Sequence, residues 1–294
     1  AKFYLDTAAG NEHNSTRSYY KPPKLVQCLL DTALDPVVRD RLDEARKQAR
    51  AAGTSVQDAQ EQALLNLSVC DPACGSGHFL IAATHRLAHR LATVRSGDSE
   101  PAPEEMRRAL RDVIRHCIYG VDLNPMAVEL CKVSLWMESL EPTKPFPFLD
   151  SKILCGNSLL GTTPYLLGKG IPDEAFQALE GDDKKWVAQL KKRNQGERIG
   201  KSQGQLFEDV PQAPEFGAVT HELETLDDSS LPALRAIAAR YRRFRESPQL
   251  LREQLAADAW CAAFVVEKRP DLPVITQEVM RSLRAGENVL TPGG

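Results

Sequence analysis

The stretch that most constrains this chain is residues 69–80, VCDPACGSGHFL. Val69 and Cys70 read as the end of a short apolar strand, with Asp71 at its carboxyl end. Pro72 cannot donate to a ladder, so the chain must turn there. Gly75 and Gly77 admit backbone dihedrals closed to other residues and let main-chain N–H groups approach a ligand at the start of the following helix. The pattern predicts a ligand loop between a strand and a helix. A dinucleotide fingerprint would place a third glycine at position 80, where this chain has Leu80, and no Walker lysine follows. A pyrophosphate cradle is therefore disfavoured.

Two further strand ends carry polar groups. Residues 117–122, CIYGVD, predict a second strand ending in Asp122, and Leu123-Asn124-Pro125 opens a helix with proline near its first turn. An acid at such a strand end can accept both hydroxyls of a ribose, each hydrogen bond to a charged group contributing about 1.5–3 kcal/mol. Residues 152–156 predict a third short strand, followed by Asn157, Ser158, Leu159 and Leu160. Strands alternating with helices predict a parallel sheet. Ligands of open parallel sheets lie outside the carboxyl ends of the strands, which places Asp71, Asp122 and Asn157 along one crevice. The distance from Asp71 to Asp122 exceeds the roughly 20 residues of a minimal unit, and a helix over 104–116 accounts for the excess.

Elsewhere the chain reads as helical. Apolar residues recur at helical spacing from Leu25 to about Leu67, with breaks at Asp35-Pro36 and Gly53-Thr54-Ser55, predicting three helices. Residues 79–93 predict a helix with Leu80, Ala83, Leu87 and Leu91 on its inner face. His85 and His89 lie one turn apart on it, but Arg86 replaces the glutamate a zinc hydrolase needs, so they read as surface histidines. In the helix over 127–140, Val128, Cys131, Leu135 and Trp136 are expected to face inward. Residues 171–194 and 231–266 predict two long helices, joined by loops around 196–204 and 211–228. Lys184, Lys185, Lys191, Lys192, Arg193, Arg198 and Lys201 form one basic run, and Arg235, Arg240, Arg242, Arg243 and Arg245 another. Acidic residues flank both, so phosphate contacts and a solvated helix face both fit.

At 294 residues with a formal net charge of −3, the chain carries no global nucleic-acid footprint. No run reaches membrane-spanning length and no secretory leader is recognisable, so a cytoplasmic protein with no membrane partner is expected. Seven cysteines, an odd number, sit singly in apolar surroundings such as those of Cys117, Cys131 and Cys155, which predicts reduced, buried thiols. The Cys70 and Cys74 spacing lacks a second pair, so no metal site is expected.

DPACGSGHF resembles motif I of the gamma-class N6-adenine DNA methyltransferases, and YGVDLNP resembles their motif II. The resemblance implies a Rossmann-like α/β fold that binds S-adenosylmethionine. Asp71, Pro72, Ala73, Cys74, Gly75, Ser76, Gly77 and Phe79 would then wrap the methionine half of the cofactor. Asp122 would meet the ribose and Asn157 would accept from the exocyclic amine of the adenine, with Leu123, Ser158 and Leu159 also among the cofactor-binding residues. The segment Tyr19-Tyr20-Lys21-Pro22 is similar to the family's GSYYTP stretch at the methionine end, with Ser18 for glycine and Lys21 for threonine. A lysine there would replace a lost hydroxyl contact by charge.

In that family catalysis rests on a later Asn/Asp/Ser-Pro-Pro-aromatic motif acting on a flipped base. The Pro-Pro pair of this chain, Pro22-Pro23, lacks both the polar residue before it and the aromatic after it, so no catalytic residue is assigned. The chain opens Ala-Lys-Phe without a start methionine and closes on Gly293-Gly294, and a piece of a longer protein is expected. Three parts are expected: an N-terminal helical segment over 1–67, a cofactor-binding core over 68–165, and a helical insertion over 166–294. The resemblance implies DNA as partner, mainly through parts outside this chain, together with other restriction or defence subunits. RNA or protein-glutamine methylation, and a non-catalytic nucleic-acid-binding module, remain as alternatives.

Overall fold

The computed structural model describes residues 22–142, 144–204 and 216–286. They form a helix-rich α/β protein with a three-stranded parallel sheet. Its described residues fall into two compact units: those up to Ser158 with Thr220–Ala238, and the remainder.

In the first unit α1 (Pro23–Leu29) starts at the proline pair. The break expected at Asp35-Pro36 does not occur. A five-residue π-helical turn, Leu30–Leu34, leads directly into α2 (Asp35–Ala52). Pro36 has no N–H for an ordinary helical bond and its ring crowds the preceding turn, and the wider turn accommodates both. Gly53 ends α2 at φ +68°, and Ser55 caps α3 (Val56–Leu65) by accepting from the Asp58 N–H at 3.2 Å.

The sheet follows with β1 (Val69–Asp71), α4 (His78–Ser96), α5 (Pro103–Cys117), β2 (Ile118–Asp122), α6 (Pro125–Glu138) and β3 (Ile153–Cys155). Strand order is β1-β2-β3, with Asp71 opposite Gly120 and Asp122 opposite Cys155. The expected inner faces are those observed: Leu80, Ala83, Leu87 and Leu91 of α4 and Cys131 and Leu135 of α6 are fully buried, with Trp136 partly so. Burial of each leucine contributes about 1.5–3 kcal/mol. His85 and His89 are exposed, and His85 pairs with Glu138 at 2.8 Å. Cys74, Cys117 and Cys131 are buried free thiols, but Cys155, expected buried, is exposed because β3 is an edge strand at the sheet margin.

The expected loop over 211–228 contains α9 (Phe216–Thr225), and within that helix, at Thr220, the chain returns to the first unit. Buried Arg111 of α5 donates to Asp228 Oδ2 at 2.9 Å and to the Pro145 carbonyl at 2.6 Å. Arg115, one turn on, donates to Asp228 Oδ1 at 3.0 Å.

The expected helix over 231–266 is two helices, α10 (Leu231–Arg245) and α11 (Pro248–Val265). Ser247 caps the second and Pro248 takes its first position, where a missing N–H costs nothing. The expected helix over 171–194 is also divided. After α7 (Pro164–Lys169) come a short 3-10 turn, Asp173–Phe176, and an irregular stretch. Asp183 then accepts from the Lys185 and Trp186 N–H groups at 2.8 and 3.1 Å and starts α8 (Lys184–Gly204). That helix runs through the glycine-rich stretch expected to be a loop. With α12 (Gln277–Ala285), these helices enclose the second core, which includes Ile171, Phe176, Leu190, Ala256 and Met280. A buried polar ladder crosses it: the Asn194 amide donates to the Ile171 carbonyl and accepts from the Gln277 N–H, both at 2.9 Å, and the Gln277 side chain accepts from the Ile171 N–H at 3.0 Å. Among the described residues no helix is long and apolar enough to cross a membrane.

Candidate functional site

The parallel order of β1, β2 and β3 sets their carboxyl ends on one edge of the sheet. The loop after β1 reaches across to β2. The Cys74 N–H donates to the Val121 carbonyl at 3.0 Å, and the Gly75 N–H donates to Asp122 Oδ2 at 2.8 Å. The other oxygen of Asp122 accepts from the Asn124 N–H at 2.9 Å, and Asn124 caps α6 by accepting from Met126 N–H at 3.0 Å. One carboxylate thus fixes the glycine loop and the entry to the next helix. A carboxylate offers about four lone-pair sites, so each oxygen keeps capacity for one more donor.

Gly75 and Gly77 have φ of +56° and +89°, the left-handed region. At Gly77 space forbids a side chain as well, since a Cβ would lie 2.8 Å from Cys131 Sγ. Gly120 of β2 answers it from the other side, where a Cβ would lie 3.1 Å from Cys74 Sγ and 3.0 Å from Leu80 Cδ1. The two thiols lie beneath the loop, and the neighbouring Cys74 thiol together with burial holds the Cys131 thiol well above its usual pKa. Sequence reading missed this pair and the role of Gly120. The available signal was a glycine inside a strand, which marks close approach of another chain segment.

Asp71 is 8% exposed; its Oδ1 accepts from Ala73 N–H at 3.0 Å. Its Oδ2 is buried with no hydrogen-bond partner among the described residues. Such an oxygen costs stability unless a donor reaches it. Pro72, beside it, accepts at its carbonyl from Ser158 Oγ at 2.7 Å, which ties the stretch after β3 to the loop after β1. Asn157 and Leu123 are exposed, Ser76 and Phe79 half-buried, and Leu159 is 92% exposed. The structure therefore brings Asp71, the 72–77 loop, Asp122 and Ser158 into one linked arrangement. Pro22 is exposed ahead of α1. Tyr19, Tyr20 and Lys21 lie outside the described residues. In the basic runs, Arg193 and Arg198 pair with Glu197 and Asp173.

Residues 43–146 match the family model described as MmeI, DNA-methyltransferase domain. A candidate type II restriction enzyme and methyltransferase of Methanocaldococcus jannaschii is 25% identical over 175 residues, covering 49% of this chain and 14% of that protein. The adenine-specific methyltransferase PglX of Streptomyces coelicolor is 32% identical over 74 residues, 25% of this chain and 6% of PglX. The type II restriction enzyme and methyltransferase RM.Eco57I of Escherichia coli is 29% identical over 114 residues, 33% of this chain and 11% of that protein. No solved structure matches the chain. The chain spans only a small part of the length of each of these relatives, 14%, 6% and 11%, and the span matched by the family model contains the glycine loop. The chain is homologous to DNA-methyltransferase domains of restriction-modification systems.

Proposed function

We propose that this chain is the S-adenosylmethionine-binding part of a DNA adenine-N6 methyltransferase from a restriction-modification or phage-defence system, built on a Rossmann-like sheet. The observation that carries the reading is Asp122. Its carboxylate pins the Gly75 N–H and keeps lone pairs for two ribose hydroxyls. Asp71 supports it, because the buried, unpartnered Oδ2 suits the ammonium of a methionine moiety. The loop over 72–77 and Phe79 would follow the methionine half, with Leu123, Ser158 and Leu159 elsewhere along the cofactor and Asn157 at the adenine amine. Tyr19, Tyr20, Lys21 and Pro22 would close the methionine end.

When bound, the cofactor supplies the methyl group. The chain's own contribution is to bind and orient it: donors and acceptors set by the backbone of β1, β2 and their loops need no rearrangement on binding. The Pro-Pro-aromatic motif that would hold the target amine does not occur in this sequence. The chain alone therefore binds cofactor without transferring methyl to DNA, and DNA is engaged mainly by polypeptide outside it. Similarity to PglX, an adenine-specific methyltransferase, favours DNA adenine over an RNA base or a protein glutamine as the target. Restriction or defence subunits as partners and a cytoplasmic setting complete the reading.

Calorimetry with S-adenosylmethionine tests it. Saturable binding is expected, and Asp122→Ala should weaken it by at least tenfold, since one hydrogen bond to a charged group contributes about 1.5–3 kcal/mol. No heat from the unaltered chain would favour a non-catalytic module instead. Methylation of duplex DNA by this chain alone would overturn the division of labour.

A further inference from the structure

A second concavity lies away from the strand tips. The loop between α6 and β3 enters β3 at its amino end, on the opposite edge of the sheet from Asp122. Between this loop and the start of α10 is a cavity of about 950 Å³, at the upper end of the volume usual for small-molecule sites. Its walls are apolar: Trp136, Leu140 and Phe146 on one side, Leu231, Leu234 and Ala238 on the other. Trp136 and Phe146 stack with ring centroids 5.6 Å apart and planes at 21°. The indole N–H is already spent on the Pro147 carbonyl at 3.0 Å.

Both walls are held by one buried group. Arg111, 3% exposed, donates to the Pro145 carbonyl in the loop and to Asp228, three residues ahead of Leu231. The cavity is therefore pre-organised and does not need a ligand to form it.

Charge at the mouth is unbalanced. Its two acids are each occupied by a lysine, Glu141 by Lys144 at 3.0 Å and Asp150 by Lys132 at 2.7 Å. Arg107 and Arg235 line the same cavity, are exposed, and have no ion-pair partner among the described residues. An apolar, ring-lined chamber with two uncommitted guanidinium groups fits a flat apolar body bearing a negative group.

We infer that this cavity is a binding site for a small aromatic anion, a planar ring system carrying a carboxylate, sulfonate or phosphate, separate from the cofactor crevice. The test uses 8-anilino-1-naphthalenesulfonate as the probe, titrated into the full chain while circular dichroism verifies the native fold. Saturable fluorescence enhancement is expected. The exposed double change Arg107→Gln with Arg235→Gln should weaken it about tenfold, and Ala238→Trp, which pushes a bulky ring in from the α10 wall, should also weaken it. 2-Naphthoate should displace the probe at least tenfold better than neutral 2-naphthalenemethanol. Saturating S-adenosylmethionine should leave the signal unchanged. Absence of saturable binding, indifference to either variant, equal displacement by the neutral competitor, or displacement by S-adenosylmethionine would each overturn the proposal.

Discussion

Two polar clusters, one in each unit, are satisfied differently. In the second, Asn194, Ile171 and Gln277 satisfy one another inside the core. In the first, the polar groups near the strand tips are only half satisfied: Asp122 has spare lone pairs, and Asp71 keeps a buried oxygen without a donor. A closed network contributes rigidity and one defined packing. An open one stores recognition capacity at a cost in stability. The first unit offsets that cost with a dense apolar core and with the Arg111, Arg115 and Asp228 cluster.

Breaking that cluster should produce the largest effect. Asp228→Ala leaves Arg111 buried without a counter-charge, and should lower stability by about 3–5 kcal/mol in urea unfolding. Replacing both partners, Arg111→Met with Asp228→Leu, should recover most of it, since a packed apolar pair avoids desolvating charge. Failure of that recovery would mean that the pair does more than anchor the returning segment. Next in size is Asn194→Ala, which strips partners from Ile171 and Gln277 and should cost about 2–3 kcal/mol, the low end for two unsatisfied buried groups. Amide exchange at Ile171 should quicken while exchange in β2 stays unchanged, because the two cores are separate clusters. Smallest is the backbone cost of Gly77→Ala, about 1–2 kcal/mol for a side chain in the left-handed region. The added Cβ also meets Cys131 Sγ. Combining the change with Cys131→Ala should remove the collision and leave the backbone cost, and cofactor affinity measured across the pair would separate the two.

Much of the first unit was legible because its signals are local. A proline after an acid, positive-φ glycines and proline at a helix start each act within a few residues, so all three strands and the Asp71, Asp122 and Gly75 positions could be read from their neighbours. What escaped depends on distant partners. The Ser158 to Pro72 bond spans 86 residues and the Arg111 to Asp228 bond spans 117. Nothing beside Asp228 distinguishes it from Asp227, which is exposed. The helix breaks missed in the second unit were overlooked local signals: Ser247-Pro248 and Asp182-Asp183 are both cap and turn chemistry, outweighed by apolar periodicity. Pro36 erred the other way, because a π turn absorbs a residue that ordinarily interrupts a helix.

The return of Thr220–Ala238 has a practical outcome for dissection. The polypeptide passes from one unit to the other three times, at 158/159, 219/220 and 238/239. Neither body can be released by a single cut. A clone stopped just after β3 would keep the three described strands and the whole glycine loop, yet leave Arg111 without its carboxylate, with only the Pro145 carbonyl as acceptor. Excision that retains a native sheet must carry the 220–238 segment along, as a co-expressed peptide or by rejoining it through a short linker.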